Sequence, residues 1–117
     1  MKESIIKTKS KAFALRIIKL YQYLTESAER KEYVLSKQVL RSGTSIGANV
    51  KEALRGQSRP DFRSKMSIAL KEASETEYWL ELLHESGFID DKSFQSIYND
   101  NLEIIKIITR IVKNSVS

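Results

Sequence analysis

Four stretches of the chain repeat apolar residues at spacings of three and four, the period of an α-helix buried along one side. In the first, from about Ser4 to Ala28, Ile6, Phe13, Ile17, Leu20, Tyr21 and Leu24 share a face, and Lys7, Lys9, Lys11, Arg16 and Lys19 take the other. Glu29 to Glu32 is the predicted connector. The second runs from about Glu32 to Arg55 with a stripe of Leu35, Val39, Ile46, Val50 and Ala53. Its middle, Ser42 to Asn49, forms helix poorly, because Gly43 and Gly47 each cost about 1 kcal/mol relative to alanine. Two readings stay open there. The segment breaks into two short helices, or one helix continues and its glycines admit another backbone at close range. Gly56 stands where a glycine follows a helix end.

The third stretch opens on Ser58-Arg59-Pro60-Asp61, a capping-box pattern with proline tolerated in the first turn. Phe62, Met66, Ala69, Ala73, Thr76, Leu80 and Leu83 then form a heptad-like seam. Gly87 ends this helix, with Phe88 folding back on it. The fourth helix begins near Asp90-Asp91, where acids suit the positive end of the helix dipole, and runs to about Asn114. Few breakers and short connections predict an all-α, antiparallel, up-down-up-down four-helix bundle forming one domain over residues 1–117.

The apolar pattern exceeds what one bundle needs. On the fourth helix Phe94, Ile97, Tyr98 and the isoleucines and valine from 104 to 112 spread over roughly 200° of surface, against the ~100° stripe of a helix packed on one side. Ile68, Trp79 and Leu82 form a second stripe on the third helix. The prediction is a homo-oligomer assembled through Ile68, Trp79, Leu82, Ile105 and Val112.

Candidate chemistry narrows the picture further. There is no cysteine, which removes disulfides, thiolate metal sites and cysteine nucleophiles and fits a cytoplasmic setting. The N-terminus lacks the apolar core of a signal peptide, and no stretch is long and uncharged enough for a membrane span. His84 is the sole histidine, and its place on the third helix reads as a solvated surface. Neither a catalytic triad nor a paired-metal site is complete. Glu81-Leu82-Leu83-His84 is a single Glu-x-x-His, where di-metal bundles need two. Glu72, Glu75, Glu77, Glu81 and Glu85 read as solvated or salt-bridged. No enzyme, cofactor or small-molecule substrate is expected.

Charge is concentrated. Residues 37–71 hold eight Lys and Arg against Glu52 and Asp61, a net +6 where the whole chain carries +5. If the second helix is continuous, Lys37, Arg41, Lys51 and Arg55 share a side, and Arg59 and Arg63 extend it. These six are the candidate nucleic-acid contacts. No helix-turn-helix, zinc finger or aromatic platform accompanies them, so any binding is through backbone and shape. The alternative is a solvated face on a protein-interaction scaffold.

The run Gln38 to Ala53, with its Ser45-Ile46-Gly47-Ala48-Asn49-Val50-Lys51-Glu52 core, followed by Ser58, Phe62 and Lys65 to Leu80, resembles the bacterial four-helix-bundle family named for proteins encoded in 23S rRNA intervening sequences. Gly47 departs from the proline that many members carry. The resemblance covers nearly the whole chain. It implies a homopentameric barrel with a central channel. It also implies a nucleic-acid-associated role, since the similar accessory variability proteins of diversity-generating retroelements partner a reverse transcriptase and its RNA. Asn49 and Glu52 fall in the most recognisable motif and are expected to fix register or to line the assembly.

Overall fold

The computed structural model describes residues 2–115, with side chains from Ser4 onward. Met1, and with it the start of the stretch read for a signal peptide, lies outside the described residues. Four helices follow in order: α1 Lys2–Glu26, α2 Leu35–Leu54, α3 Arg59–Glu85 and α4 Asp91–Asn114. Contacts fix their directions. Gly43 of α2 meets Ile17 and Gly47 meets Ser10 of α1, so rising number on one helix is falling number on the other. The same inversion joins Ser42 to Thr76, Ala73 to Asn101, and Arg16 to Asp100. The four helices close a ring, α1–α2–α3–α4–α1, with α1 and α4 the least tightly packed neighbours. The bundle measures 50 × 21 × 19 Å.

The periodic positions form the core. Ile6, Phe13, Ile17 and Leu24 of α1, Val39, Ile46 and Val50 of α2, and Met66, Leu80 and Leu83 of α3 are all buried. They meet Ile97, Ile104, Ile108 and Ile111 of α4. Burying side chains of this size stabilises by about 1.5–3 kcal/mol each before conformational entropy is set against it.

α2 is one continuous helix. A Cβ on Gly43 would sit 2.8 Å from Ile17 Cγ1, and one on Gly47 would sit 3.3 Å from the Ser10 carbonyl oxygen. Glycine therefore lets α1 lie directly on α2, and that packing offsets the propensity lost.

The ends differ from expectation in instructive ways. α2 starts at Leu35, three residues later than the pattern placed it, because Glu32 caps the helix from outside. Its carboxylate accepts the N–H groups of Val34, Leu35 and Ser36 at 3.1, 3.1 and 2.7 Å. Lys31 before it takes a positive φ of 49°. Ser58 caps α3 by accepting the Asp61 N–H at 3.2 Å. Gly87 at φ +84° closes α3 in a Schellman motif, with Phe88 N–H donating to the Leu83 carbonyl at 2.9 Å. Gly56 is different: its φ is not positive, and a Cβ there would lie 3.1 Å from the Ala53 carbonyl oxygen as well as against the Asp61 carboxylate. Space, rather than backbone handedness, calls for glycine at 56.

Candidate nucleic-acid interface

α3 presents one row of side chains to α2: Lys65, Ile68, Glu72, Glu75, Trp79 and Leu82, spaced three and four apart. Arg41 on α2 lies across this row. Its Nη2 donates to Glu75 Oε1 at 2.6 Å and its Nη1 to Glu72 at 3.3 Å. The Trp79 indole N–H donates to the same Glu75 oxygen at 3.1 Å. The guanidinium, and then the indole, hold the Glu75 carboxyl below the usual glutamate range, and the two glutamates raise Arg41. Arg41 thus spends its charge within the protomer. Lower in the same groove Lys65 pairs with Glu52 at 3.2 Å.

The candidate assembly residues are not one surface. Ile68 is 38% exposed, while Trp79 and Leu82 are half-buried, all three along the α2 edge of α3. Ile105 and Val112 are half-buried on α4, in the heptad row of Tyr98. Tyr98 donates to Glu81, with Glu77 3.1 Å away as the alternative acceptor, on the far edge of α3, so α3 stands between the two sets. Trp79, Ile105 and Val112 also pack partly on their own core, which leaves less apolar surface uncovered than the pattern suggested.

The basic residues divide as well. Lys37 and Arg41 lie near the start of α2. Lys51 and Arg55 lie at its end, about 20 Å away at 1.5 Å per residue. Arg59 and Arg63 open α3 after the short turn, but Arg63 belongs to the heptad row of Glu77 and His84, which faces α4, so it does not prolong the basic side of α2. Lys51, Arg55, Arg59 and Arg63 are exposed, and none is ion-paired among the described residues.

Antiparallel packing adds what no helix shows alone. The α2–α3 turn shares its end of the bundle with the start of α1 and the finish of α4. Residues 4–14, 45–71 and 103–115, which make up that half, hold twelve Lys and Arg against three acids. Residues 15–44 and 72–102, the other half, hold seven against eleven. The molecule is electrically polar along its length.

Residues 2–110 match the model of the 23S rRNA-intervening sequence protein family. The chain belongs to that family. A crystal structure described as a protein of unknown function from the S23 ribosomal protein family of Bacteroides thetaiotaomicron VPI-5482 is 55% identical to it. That structure has a TM-score of 0.93, over 97% of this chain and 99% of that one. No curated protein matches.

Within this family member the polar residues that join helices through the core are not those the motif singled out, although Glu52 reaches Lys65 of α3 at the surface. Asn49 is half-buried and donates to the Ser45 carbonyl of its own helix at 2.8 Å, and Glu52 is exposed. The buried links are Thr76 to Ser42, 2.8 Å between hydroxyls, and Asn101 Nδ2 to the Ala73 carbonyl at 2.9 Å. Asn101 Oδ1 is buried with no partner. A serine, a threonine and an asparagine inside apolar stripes were the available signal.

His84 also departs from the solvated position expected of it. Its ring stacks on Phe94 at 4.0 Å, and Nε2 lies 2.6 Å from Asp91 Oδ1. The Tyr98 phenol is held well above its ordinary range by the Glu81 bond, burial and Glu77, so it remains a donor. Among the described residues no three His, Asp or Glu side chains gather as a metal would require, and no helix is long and apolar enough to cross a membrane.

Proposed function

We propose that this family member is a non-catalytic cytoplasmic bundle that binds RNA, free or within a nucleoprotein, by its phosphate backbone. Lys51, Arg55, Arg59 and Arg63 at the basic pole make the contacts. Arg41 serves instead as a structural tie between α2 and α3, and Lys37 is peripheral. The observation that supports this reading is the separation of charge between the two halves of the bundle. A concentrated positive end attracts polyanions and gains strength with the number of phosphates neutralised. The protein works as a homo-oligomer, a pentamer on the family resemblance, which repeats the basic pole around the assembly. A reverse transcriptase with its RNA is the partner class that resemblance supports.

The test is a titration into labelled RNA across a salt series. With four phosphates neutralised per protomer, affinity falls by about a hundredfold between roughly 50 and 200 mM salt. Lys51→Glu with Arg55→Glu weakens binding and cuts that dependence by at least about half, whereas Arg41→Ala leaves it largely intact. No binding at about 50 mM salt would remove the reading.

A protein-interaction scaffold is the second reading. The α2–α3 groove favours it, because the row of α3 that lines it carries exposed Ile68 and, three turns further on, half-buried Trp79 and Leu82. On that reading the protein binds no RNA at about 50 mM salt, and Ile68→Glu lowers the mass in solution from a multiple of 13.5 kDa towards the protomer.

A further inference from the structure

Building on the phosphate-backbone reading above, we infer that the basic pole takes double-stranded RNA in preference to single strands. The aromatic residues are almost all remote from this pole. The chain has four Phe, five Tyr and one Trp, and only Phe13 and Phe62 belong to the basic half. Phe13 is 2% exposed, and Phe62 is half-buried against the core. The exposed rings, Tyr23, Tyr33 and Tyr78, all lie in the opposite half.

Proteins that hold single strands combine a positive track with rings on which successive bases stack. Here the cations and the exposed rings are at opposite halves, so a single strand meets the basic pole with its phosphates alone. A duplex loses nothing by this, because its bases are already stacked and double-stranded RNA is held largely by shape and backbone.

Charge density favours the duplex too. Double-stranded DNA carries one charge per about 1.7 Å of axis, twice that of either strand, and pairing likewise doubles the charge along an RNA strand. The bundle is 21 by 19 Å across, so a duplex lying over its end offers about twice the charge of one strand in that width. The opposing cations come from all four helices and the α2–α3 turn, among them Lys11, Lys51, Arg55, Arg63 and Arg110. Cations spread over several elements match two strands better than one line of phosphates.

Fluorescence anisotropy with an RNA duplex of about 20 base pairs, and with each strand alone chosen to lack self-pairing, decides the matter at about 100 mM salt. The duplex binds at least about fivefold tighter, with a steeper dependence of log affinity on log salt. Gln57→Trp, which places a ring on the exposed α2–α3 turn, tightens single-strand binding several-fold and leaves duplex binding unchanged. Equal or tighter binding of single strands by the unaltered protein overturns the duplex preference and leaves the backbone reading standing. Failure to bind either form removes both.

Discussion

Gly43→Ala sets two effects of opposite sign against each other. Alanine is the better helix former by about 1 kcal/mol in a helix interior. The new methyl, however, would lie 2.8 Å from Ile17 Cγ1, 2.9 Å from Cγ2 and 3.3 Å from Cβ. Carbon atoms pack best at about 3.5–4.0 Å, so a gap of roughly 0.7 Å must open. Ile17 cannot supply it by rotation, being fully buried and β-branched, with one favoured rotamer in a helix. α1 would have to retreat, which loosens its contact over Gly47 one turn away. Overpacking of this kind costs about 1–3 kcal/mol, and the immobile neighbour places this site at the upper end. The net loss is then about 2 kcal/mol, or about 8 °C in melting temperature for a chain of this size. Urea unfolding followed by circular dichroism measures it, at one fixed protein concentration because self-association would shift apparent stability. A double-mutant cycle makes the test specific. Ile17→Ala alone costs about 2–5 kcal/mol, and in that background the methyl added by Gly43→Ala enters vacated space and stabilises by about 1 kcal/mol. The coupling is about 3 kcal/mol. Gly43→Ala at or above the parent stability, or an equal penalty in both backgrounds, would refute the close-packing account.

Three further expectations follow from polar groups. Glu32→Ala strips the cap from three N–H groups at the start of α2 and costs about 1–2 kcal/mol in the same unfolding assay; an unchanged midpoint would mean that water caps the helix equally well. Asn101→Leu removes a buried amide oxygen that has no partner, so stability stays level or rises by up to about 2 kcal/mol, whereas a loss of that size would mark Asn101 as the residue holding α3 to α4. Arg41→Ala costs no more than about 1 kcal/mol near neutral pH, because the pair is half exposed. Glu75 has its folded-state pKa depressed, so its stabilising share is present above the unfolded glutamate value of about 4.3 and fades as pH falls through the lower folded value. The gap between parent and variant therefore narrows in acid, and a gap constant down to about pH 2 would exclude Glu75 as its source.

Much of the scaffold was legible from spacing alone. The α3 seam from Met66 to Leu83 is buried as its heptads required, and the stop at Gly87 is the Schellman turn its composition announced. These features are local: residues within one or two turns of each other set them, through side-chain direction and the needs of unpaired backbone groups. The start of α2 was misplaced for a related reason. Acids near a helix start are a familiar signal, but whether Glu32 sits in the first turn or reaches over it depends on the backbone at Lys31, whose positive φ no pattern marks.

The candidate site was legible as an inventory but not as an arrangement. Lys37, Arg41, Lys51 and Arg55 do share a helix side, yet Arg41 is matched to Glu72 and Glu75, more than thirty residues along the chain. Arg63 falls in the heptad row of Glu77 and His84, whose contacts with Tyr98 and Phe94 set the phase of α3, and so lies away from the Lys65 row that faces α2. The sequence by itself determined four amphipathic helices, their short connections, membership of the family and an excess of positive charge, since each depends on residue type and local spacing. Only the tertiary structure decided which charges are already paired and which polar side chains join helices through the core. It also brought the start of α1, the α2–α3 turn and the end of α4 to one end of the molecule. Side-chain pairing and the summed field depend on distances between segments remote in sequence, and those distances exist only once the helices have packed.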